Sequence, residues 1–288
     1  MELRVLRYFL AVAREENITK AAALLHVTQP TLSRQLRQLE EELGVKLFRR
    51  SQYRVVLTDD GMLLRRRAQE IVELADKAER ELQHLDTEVT GEIAIGCGES
   101  VGMTFLSEHI RAFRRLHRQV QFRIYSANAD DVKERIEKGL LDMGLLTEPV
   151  DIGRYAFLRT LQKDRWGVLL PKEHPLAQKS TVTPNDLLGV PLLLSSRESV
   201  RNELAGWFGD AYDKIEVAAT FNLILNAANI VKNGVGAALC YDFGNLSDAL
   251  EFVPLSPKRE TGTVLAWKKD QTCSPAADQF LDFLKNAI

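Results

Sequence analysis

Three polar side chains near the N-terminus have types and spacing that suit contact with DNA bases. Gln29, Ser33 and Arg34 lie on the outer surface of a predicted helix, because a spacing of four residues returns to the same helical face. Arginine can donate two hydrogen bonds to guanine and glutamine can pair with adenine, so both types match base edges in the major groove. A plain helical bundle with a solvated polar face would show the same pattern and is the alternative at this point.

The helix that positions these side chains has a defined beginning and end. Thr28 is a suitable N-cap, Pro30 needs no hydrogen-bond partner in the first turn, and Gly44 ends the helix. Its predicted inward face consists of Leu32, Leu36, Leu39 and Leu43. A first helix from about Leu3 to Ala13 and a short second helix in ITKAAALL precede it, which predicts a helix-turn-helix.

A basic turn follows and is expected to form a wing. Leu47 and Phe48, then Val55 and Leu57, predict two short strands, and the arginines beside them could contact phosphates or the minor groove. The predicted DNA contacts are Thr28, Gln29, Pro30, Thr31, Ser33, Arg34, Arg37, Arg50 and Arg54. Residues 1–58 hold ten Lys or Arg against six Asp or Glu; since the whole chain carries −2, this segment carries +4 and the remainder −6. A basic head on an acidic body suits a polyanion-binding protein.

A long helix after Thr58 has the pattern of a dimer interface. Asp59 and Asp60 would lie in its first turn, where negative charge complements the helix dipole. Apolar residues then alternate at spacings of four and three, which is an a/d seam of about three heptads. The predicted dimerisation residues are Leu64, Ala68, Ile71, Ala75, Ala78, Leu82 and Leu85. Packing of this stripe on its own domain is the alternative.

From Gly91 onward, strand and helix patterns alternate, which predicts an α/β domain with parallel strands. The segments GEIAIGCG, VQFRIYSA and LDMGLL suit one lobe, and WGVLLP, PLLLSS, IEVAATF and AALCY suit a second. We therefore expect an α+β multidomain chain with a winged helix-turn-helix at 1–58, a linker helix at 59–88 and a two-lobed α/β domain at 89–288. One lobe would comprise about 89–161 and 267–288, and the other about 162–266.

Small ligands bind at the carboxyl ends of strands in such sheets, so polar residues there are candidate binding residues. They are Ser100, Ser126, Asn128, Thr147, Ser196, Phe221 and Asn222. Ser100 could hold a carboxylate at the start of a helix, or it could only cap that helix. Glu99 argues against a strongly anionic ligand at this point, because its own charge would occupy the same favourable field.

The larger half lacks the motifs of common enzyme classes. It has no G-x-S-x-G, P-loop or H-E-x-x-H, so we expect neither catalysis nor a cofactor. Cys97, Cys240 and Cys273 lack metal-site spacing, which favours reduced thiols and no metal site. The N-terminus lacks a signal-peptide pattern, and the longest uncharged stretch is too short to span a bilayer, so we expect a cytoplasmic protein.

Taken in order, these segments resemble the LysR-type transcriptional regulators over essentially the whole chain. The resemblance is densest in ITKAAALLHVTQPTLSRQLRQLEEELGVKLFRRSQYRVVLTDDG, where AA, QP, LSRQ, LE, LG, LF and LT stand at the family's spacing. Farther on, EHPLA, the GVPLL element, VKNGVGAAL and SPAADQFLDFL resemble the family's effector domain, although less specifically.

The resemblance implies a winged helix-turn-helix, a dimerising linker helix and a two-lobed domain like that of a periplasmic binding protein. It also implies a homotetramer that bends double-stranded operator DNA, with a small-molecule effector between the lobes altering the bend and the access of RNA polymerase. By position, it implies base contacts by Gln29, Pro30, Ser33 and Arg34 and a wing contact by Arg54. Four predicted ligand residues fall at or near its effector positions: Ser100, Asn128, Ser196 and Asn222.

The expected function is therefore effector-responsive, sequence-specific DNA binding. One alternative is a cytoplasmic solute-binding or enzymatic α/β protein whose N-terminal helices serve only in dimerisation. Another is an architectural DNA-binding protein with an empty body. The cluster of Gln29, Ser33 and Arg34 and the missing catalytic motifs favour the first interpretation over these two.

Overall fold

A computed structural model describes residues 1–50, 54–83, 89–269 and 273–287; side chains are described for these except at Arg50 and at 80–83. The chain divides into two compact units, Met1–Leu85 and Asp86–Ile288. Within the described ranges, no helix is both long enough and apolar enough to cross a membrane.

Three helices and a two-stranded wing form the smaller unit. The helices are α1 (Leu3–Glu15), α2 (Ile18–Leu24) and α3 (Gln29–Leu43). The wing pairs β1 (Phe48–Arg50) with β2 (Val55–Leu57) in antiparallel register, Phe48 opposite Leu57. The predicted winged helix-turn-helix is confirmed, and its core gathers apolar residues of all three helices, including Phe9, Ala21 and Leu36.

One detail of α3 differs from the prediction. Thr28 caps the helix as expected, because its hydroxyl oxygen accepts from the amide of Thr31, and Gly44 ends the helix in the left-handed region. Leu32, Leu36 and Leu39 are buried. Leu43 is exposed, so its predicted inward orientation is wrong; the last turn of α3 extends beyond the core that buries the other three leucines.

Helix α4 (Asp59–Gln83) belongs to the smaller unit and packs on it through part of the predicted seam. Ala68 is 0% exposed within the core of its own unit, and Leu64 packs against the same core. The prediction that these two residues face a partner helix is therefore wrong, and the alternative of packing on its own domain holds for them. The side chain of Leu82, and Leu85 altogether, lie outside the described residues.

The exposed apolar residues of α4 form a neighbouring stripe. Leu63, Ile71 and Leu74 are 58%, 42% and 44% exposed, and Ala78 is exposed one turn farther on. At about 100° per residue these four side chains fall within about 80° of one another around the helix. Ile71 and Ala78 of the predicted seam thus remain accessible, beside a face that its own unit covers.

The larger unit begins with a lobe whose sheet has helices on both faces. The strands are β3 (Gly91–Cys97), β4 (Val120–Ser126) and β5 (Met143–Thr147), and the helices are α5 (Gly102–Leu116), α6 (Ala129–Glu137) and α9 (Pro275–Lys285). Strand β3 pairs in parallel with both β4 and β5. Helices α5 and α9 bury Phe113 and Phe280 on one face of the sheet, while α6 buries Val132 and Ile136 on the other.

The second lobe repeats this arrangement. Its strands β7 (Pro191–Ser195), β8 (Glu216–Phe221) and β9 (Ala237–Tyr241) are mutually parallel, with β7 in the middle. Helices α7 (Glu198–Phe208) and α8 (Ile224–Lys232) contribute Leu204 and Val231 to separate cores. Short 3-10 helices lie at Pro175–Gln178, Pro184–Leu187 and Gly209–Lys214.

One strand runs through both lobes. Strand β6 (Tyr155–Pro171) has 17 residues; its first part pairs with β11 (Glu260–Lys268), and its last part pairs with β9 and β10 (Leu250–Pro254). Strand β11 also pairs with β5, Thr263 opposite Thr147, so it belongs to the first lobe. The predicted second crossing near Trp267 is therefore wrong: the chain re-enters the first lobe by Glu260, and the predicted second lobe at 162–266 wrongly includes β11.

Candidate functional sites

Helix α3 presents an open polar surface at its N-terminal end. Gln29, Pro30, Thr31, Arg34 and Arg37 are all exposed. Thr28 is exposed as well, but its hydroxyl is engaged with the Thr31 amide and, at 2.8 Å, with the Thr31 hydroxyl. The structure therefore brings most of the predicted base-contacting side chains together on the exposed N-terminal turns of α3.

Ser33 departs from this arrangement. Its residue is only 2% exposed, and its Oγ accepts a hydrogen bond of 2.8 Å from the Nε2 of Gln29, one helical turn earlier. The prediction that Ser33 itself faces bases is wrong for this structure, because the hydroxyl is turned into the protein surface. It instead holds the Gln29 amide in one orientation, and that orientation determines which polar atom of Gln29 remains open.

The wing is fastened to α3 by a buried carboxylate. Glu40 accepts hydrogen bonds from the amides of Leu47 at 2.9 Å and Phe48 at 3.2 Å and pairs with the Lys46 ammonium at 3.1 Å. Burial alone would raise the pKa of Glu40, but these three donors outweigh it and hold the pKa below its usual value. The first strand of the wing thus has a fixed position relative to α3.

Arg49 and Arg54 are exposed arginines of the wing region. The Arg54 side chain is 75% exposed, and its guanidinium lies 3.8 Å from the carboxylate of Glu16 at the end of α1. Arg49 is exposed on β1. The side chain of Arg50 is outside the described part of the wing.

The larger unit contains a cavity of about 90 Å³ between its two lobes. Five predicted ligand residues lie together on its wall: Asn128, Thr147, Ser196, Phe221 and Asn222. They come from the carboxyl ends of β4, β5, β7 and β8, as the rule for open α/β sheets requires. Asn128 also caps α6, accepting from the amides of Asp130 and Asp131 and donating to the Asp131 carboxylate.

Two predicted ligand residues lie off this wall. Ser100 is buried, and its Oγ accepts from the Gly102 amide at 3.1 Å, so it serves the start of α5 rather than a ligand. Ser126 is hydrogen-bonded to the thiol of Cys97 on the neighbouring strand. Neither serine lies among the residues that line the cavity; Ser100 is buried at the start of α5, and the ligand role of the exposed Ser126 stays a prediction.

Glu99 crosses the cavity from the first lobe to the second. Its Oε2 accepts a hydrogen bond from the amide of Ile224, the first residue of α8. The sequence suggested a position in the field of the following helix, α5; the structure places the carboxylate at the N-terminus of α8 instead. Burial raises the pKa of Glu99, and the Ile224 hydrogen bond only partly offsets this.

Arg197 reaches across the cavity from the second lobe to the first. Its side chain is 8% exposed, and its guanidinium lies 3.3 Å from the Asp130 carboxylate and donates to the carbonyl oxygens of Thr147 and Pro149. All three acceptors belong to the first lobe, whereas Arg197 precedes α7 of the second. Sequence reasoning missed this contact, because an arginine beside a helix start is usually solvated.

Aromatic rings form much of the remaining wall. Trp166, Phe221, Tyr241 and Phe243 line the cavity, and the centroids of Trp166 and Tyr241 are 4.5 Å apart in an edge-on arrangement. Burial raises the pKa of Tyr241, and its hydroxyl interacts with the side chains of Thr261 and Thr147. Trp166 and Tyr241 were missed from sequence because they stand in apolar strands that predict core packing.

Behind this wall, Asp164 fixes the start of α5 to the crossing strand. Asp164 is fully buried, and it accepts from the Val101 amide at 2.7 Å and the Thr263 hydroxyl at 3.1 Å. Burial raises the pKa of this carboxyl, and the two hydrogen bonds offset part of that effect. No group of three or more described His, Cys, Asp or Glu residues is arranged to hold a metal ion.

Two family models match the chain, one on each unit. Residues 3–62 match a bacterial regulatory helix-turn-helix protein of the lysR family, and residues 86–288 match the LysR substrate binding domain. Together the two matches cover the base-contacting turn, the wing strands and every residue of the cavity wall.

Individual relatives agree with these models. The chain is 30% identical over 294 residues to the Hca operon transcriptional activator HcaR of Escherichia coli (strain K12), covering 100% of this chain and 98% of that protein. It is 34% identical over 206 residues to the HTH-type transcriptional regulator AlsR of Bacillus subtilis (strain 168), covering 69% and 66%. The crystal structure of full-length CbnR with its target DNA shares the fold, with a TM-score of 0.78, 21% identity and 100% of both chains covered.

Proposed function

Because the chain belongs to the LysR family and is a DNA-binding transcriptional regulator with an effector-binding domain, we propose that α3 reads bases and that a ligand in the interlobe cavity controls this binding. Members of the family are regulators and not enzymes. The base-contacting part of the proposal is supported above all by the exposed turn of Gln29, Pro30 and Arg34.

A comparison of specific and non-specific affinity tests the role of Arg34. Genomic fragments bound by the full-length protein are enriched, and affinities are measured for an enriched fragment and a scrambled one. Arg34→Ala should weaken binding to the enriched fragment by about 1–3 kcal/mol, the value of a bidentate base contact, with a smaller loss on the scrambled fragment. Arg111→Ala, an equal charge change on exposed α5, should affect neither. Equal losses on both fragments would overturn base reading by Arg34.

The regulatory part of the proposal is supported by contacts that join the two lobes across the cavity. Glu99 reaches α8 from the first lobe, and Arg197 reaches Thr147 and Pro149 from the second. A molecule that enters between them changes the free energy of lobe closure by its differential contacts with the open and closed forms. Transmission of that change to operator bending and to RNA polymerase is part of the same proposal.

Self-association is the remaining part of the proposal. The exposed stripe of Leu63, Ile71, Leu74 and Ala78 on α4 supports a helix-to-helix contact between two copies, which places two reading helices on one operator. The proposal also includes assembly of two such dimers into a homotetramer that acts in the cytoplasm. Ala75, from the original seam, is half-buried between the covered and the exposed faces.

Sedimentation tests this interface. Leu74→Glu should lower the sedimenting mass, because a charge at the centre of an apolar contact costs several kcal/mol. Leu116→Glu, an equally drastic change at a 68%-exposed leucine of α5, is the matched control and should leave the mass unchanged. An unaltered mass for Leu74→Glu would contradict the α4 interface without affecting the Arg34 experiment.

A further inference from the structure

The interlobe cavity contains a carboxylate without a positive partner. Glu99 is half-buried, and only its Oε2 is engaged, by the Ile224 amide. Among the described residues, no Lys, Arg or His nitrogen lies within 4.0 Å of this carboxylate, and its Oε1 accepts no hydrogen bond from them. A carboxylate withdrawn from water is costly unless a cation or further donors compensate it.

The cation on the same wall is already compensated. Arg197 lies against the Asp130 carboxylate and two carbonyl oxygens of the first lobe, which engage its Nε and both terminal nitrogens. A ligand carboxylate would therefore have to take Arg197 from three acceptors and would also meet the charge of Glu99. The wall thus favours a positive ligand and disfavours a negative one.

The aromatic rings add to this preference. Trp166, Phe221, Tyr241 and Phe243 line the cavity, and a cation over the face of an aromatic ring gains from the ring's quadrupole. The charge of Asp164, behind the wall, also acts on the Tyr241 hydroxyl. A wall of aromatic rings with a carboxylate beside it is the chemistry that recognises an ammonium group.

We propose that the cavity binds a small molecule bearing a protonated amine, with its ammonium group paired to Oε1 of Glu99 and its carbon skeleton against Tyr241 and Phe243. The cavity volume of about 90 Å³ accommodates a small amine. This inference rests on the proposed role of the cavity as the effector site and adds the class of effector.

Three probes of similar size separate the charge preference from simple filling of the cavity. Isobutylamine, isobutanol and isobutyrate are titrated into the full-length protein by calorimetry at neutral pH and fixed ionic strength. Isobutylamine should bind at least about tenfold more tightly than isobutanol, a difference of about 1.4 kcal/mol, and isobutyrate should bind most weakly.

Variants then assign the preference to Glu99. Glu99→Gln keeps an oxygen acceptor but removes the charge, so it should abolish the advantage of the amine over the alcohol. Glu251→Gln, at an exposed glutamate of β10 away from the cavity, should leave the advantage unchanged. Phe243→Leu provides a second test that leaves Glu99 in place, and it should weaken amine binding more than alcohol binding.

Each outcome decides between the parts of the proposal. Equal or tighter binding of isobutyrate, no binding of isobutylamine, or an amine preference that survives in Glu99→Gln would overturn the amine site. If isobutylamine binds as expected but leaves the affinity for enriched DNA unchanged, the amine site holds and the effector role fails. If the amine site fails while Arg34→Ala behaves as expected, base reading by α3 stands alone.

Discussion

A buried glutamate in the smaller unit and a half-buried glutamate in the larger unit have opposite surroundings. Glu40 in the smaller unit accepts from two backbone amides and pairs with Lys46, and its pKa lies below the usual value despite burial. Glu99 in the larger unit accepts from one amide, has no cationic partner among the described residues, and its pKa is raised by burial.

The difference separates a structural carboxylate from one that is open to a ligand. The hydrogen bonds and the ion pair of Glu40 outweigh the cost of its burial, so its charge stabilises the fold. The surroundings of Glu99 stabilise its charge only in part, so the folded state carries a cost that an incoming cation removes. The same side chain thus stabilises the fold in one unit and, as proposed, recognises a ligand in the other.

The largest effect is expected for Glu40→Ala. Removal of this carboxylate leaves the buried amides of Leu47 and Phe48 without an acceptor, which should lower the free energy of unfolding of the smaller unit by about 2–5 kcal/mol. Hydrogen exchange at these two amides is the direct measurement. Glu41→Ala, at the next and exposed position, is the control. Unchanged protection in Glu40→Ala would contradict the anchoring role.

As the pH falls, the contributions of Glu40 and Glu99 to the stability of their units should change in opposite directions. The lowered pKa of Glu40 means that its stabilisation is present above its ordinary value of 4.5 and is lost as the pH falls through the folded-state value below it. The raised pKa of Glu99 means that its charge destabilises the larger unit above the raised value, and this cost disappears as the pH falls toward 4.5.

Denaturation at a series of pH values measures both trends. The three tryptophans, Trp166, Trp207 and Trp267, report on the larger unit, while hydrogen exchange reports on the smaller. The contribution of Glu40 to the pH dependence of stability is the difference between wild type and Glu40→Gln. The contribution of Glu99 is the difference between wild type and Glu99→Gln. Parallel trends in these two differences would show that the two environments do not differ as described.

A smaller effect is expected for Glu99→Gln near neutral pH. Loss of an uncompensated charge with retention of an oxygen acceptor should raise the stability of the larger unit, by roughly 1 kcal/mol. Tryptophan fluorescence during denaturant unfolding provides the measurement. Glu148→Gln is a useful contrast, because Glu148 pairs with Arg159 and its loss should not stabilise. A loss of stability in Glu99→Gln would mean that its charge is compensated.

The smallest effect concerns Ser33→Ala, which tests positioning in the reading helix. Without its hydrogen bond to Ser33, the Gln29 amide becomes free to rotate, and specific DNA affinity should fall by about 0.5–1 kcal/mol. In Gln29→Ala, the additional change Ser33→Ala should have no further effect, since the serine acts through the glutamine. Additive losses in this double-mutant cycle would indicate a direct contact by Ser33.

The sequence predicted the elements better than their partners. Helix and strand periodicity located the winged helix-turn-helix, α4 and most strands of the two lobes, because each has a continuous apolar face. It missed the first part of β6, where the polar run from Gln162 to Arg165 interrupts the apolar pattern as the strand passes between lobes. The sequence also could not assign β11 to the first lobe, because that assignment depends on its pairing with β5, and strand pairing leaves no local pattern in the sequence.

For the sites, the sequence predicted the positions but not the orientation of side chains. Strand ends located Asn128, Thr147 and Asn222 correctly on one wall. The engagement of Ser33 by Gln29, and of Ser100 by the Gly102 amide, is decided by local packing that the residue type does not reveal. Arg197 and Tyr241 were missed because their residue types and positions suggested a solvated cation and a core aromatic, whereas their partners lie on the other lobe.

The continuous strand β6 also sets the mechanics of the larger unit. Its pairing passes from β11 at Arg165 to β9 at Trp166, after a register shift against β11 between Gly262 and Val264, so the lobes are joined by a paired strand. Any rotation of one lobe against the other is therefore coupled to distortion of this paired strand.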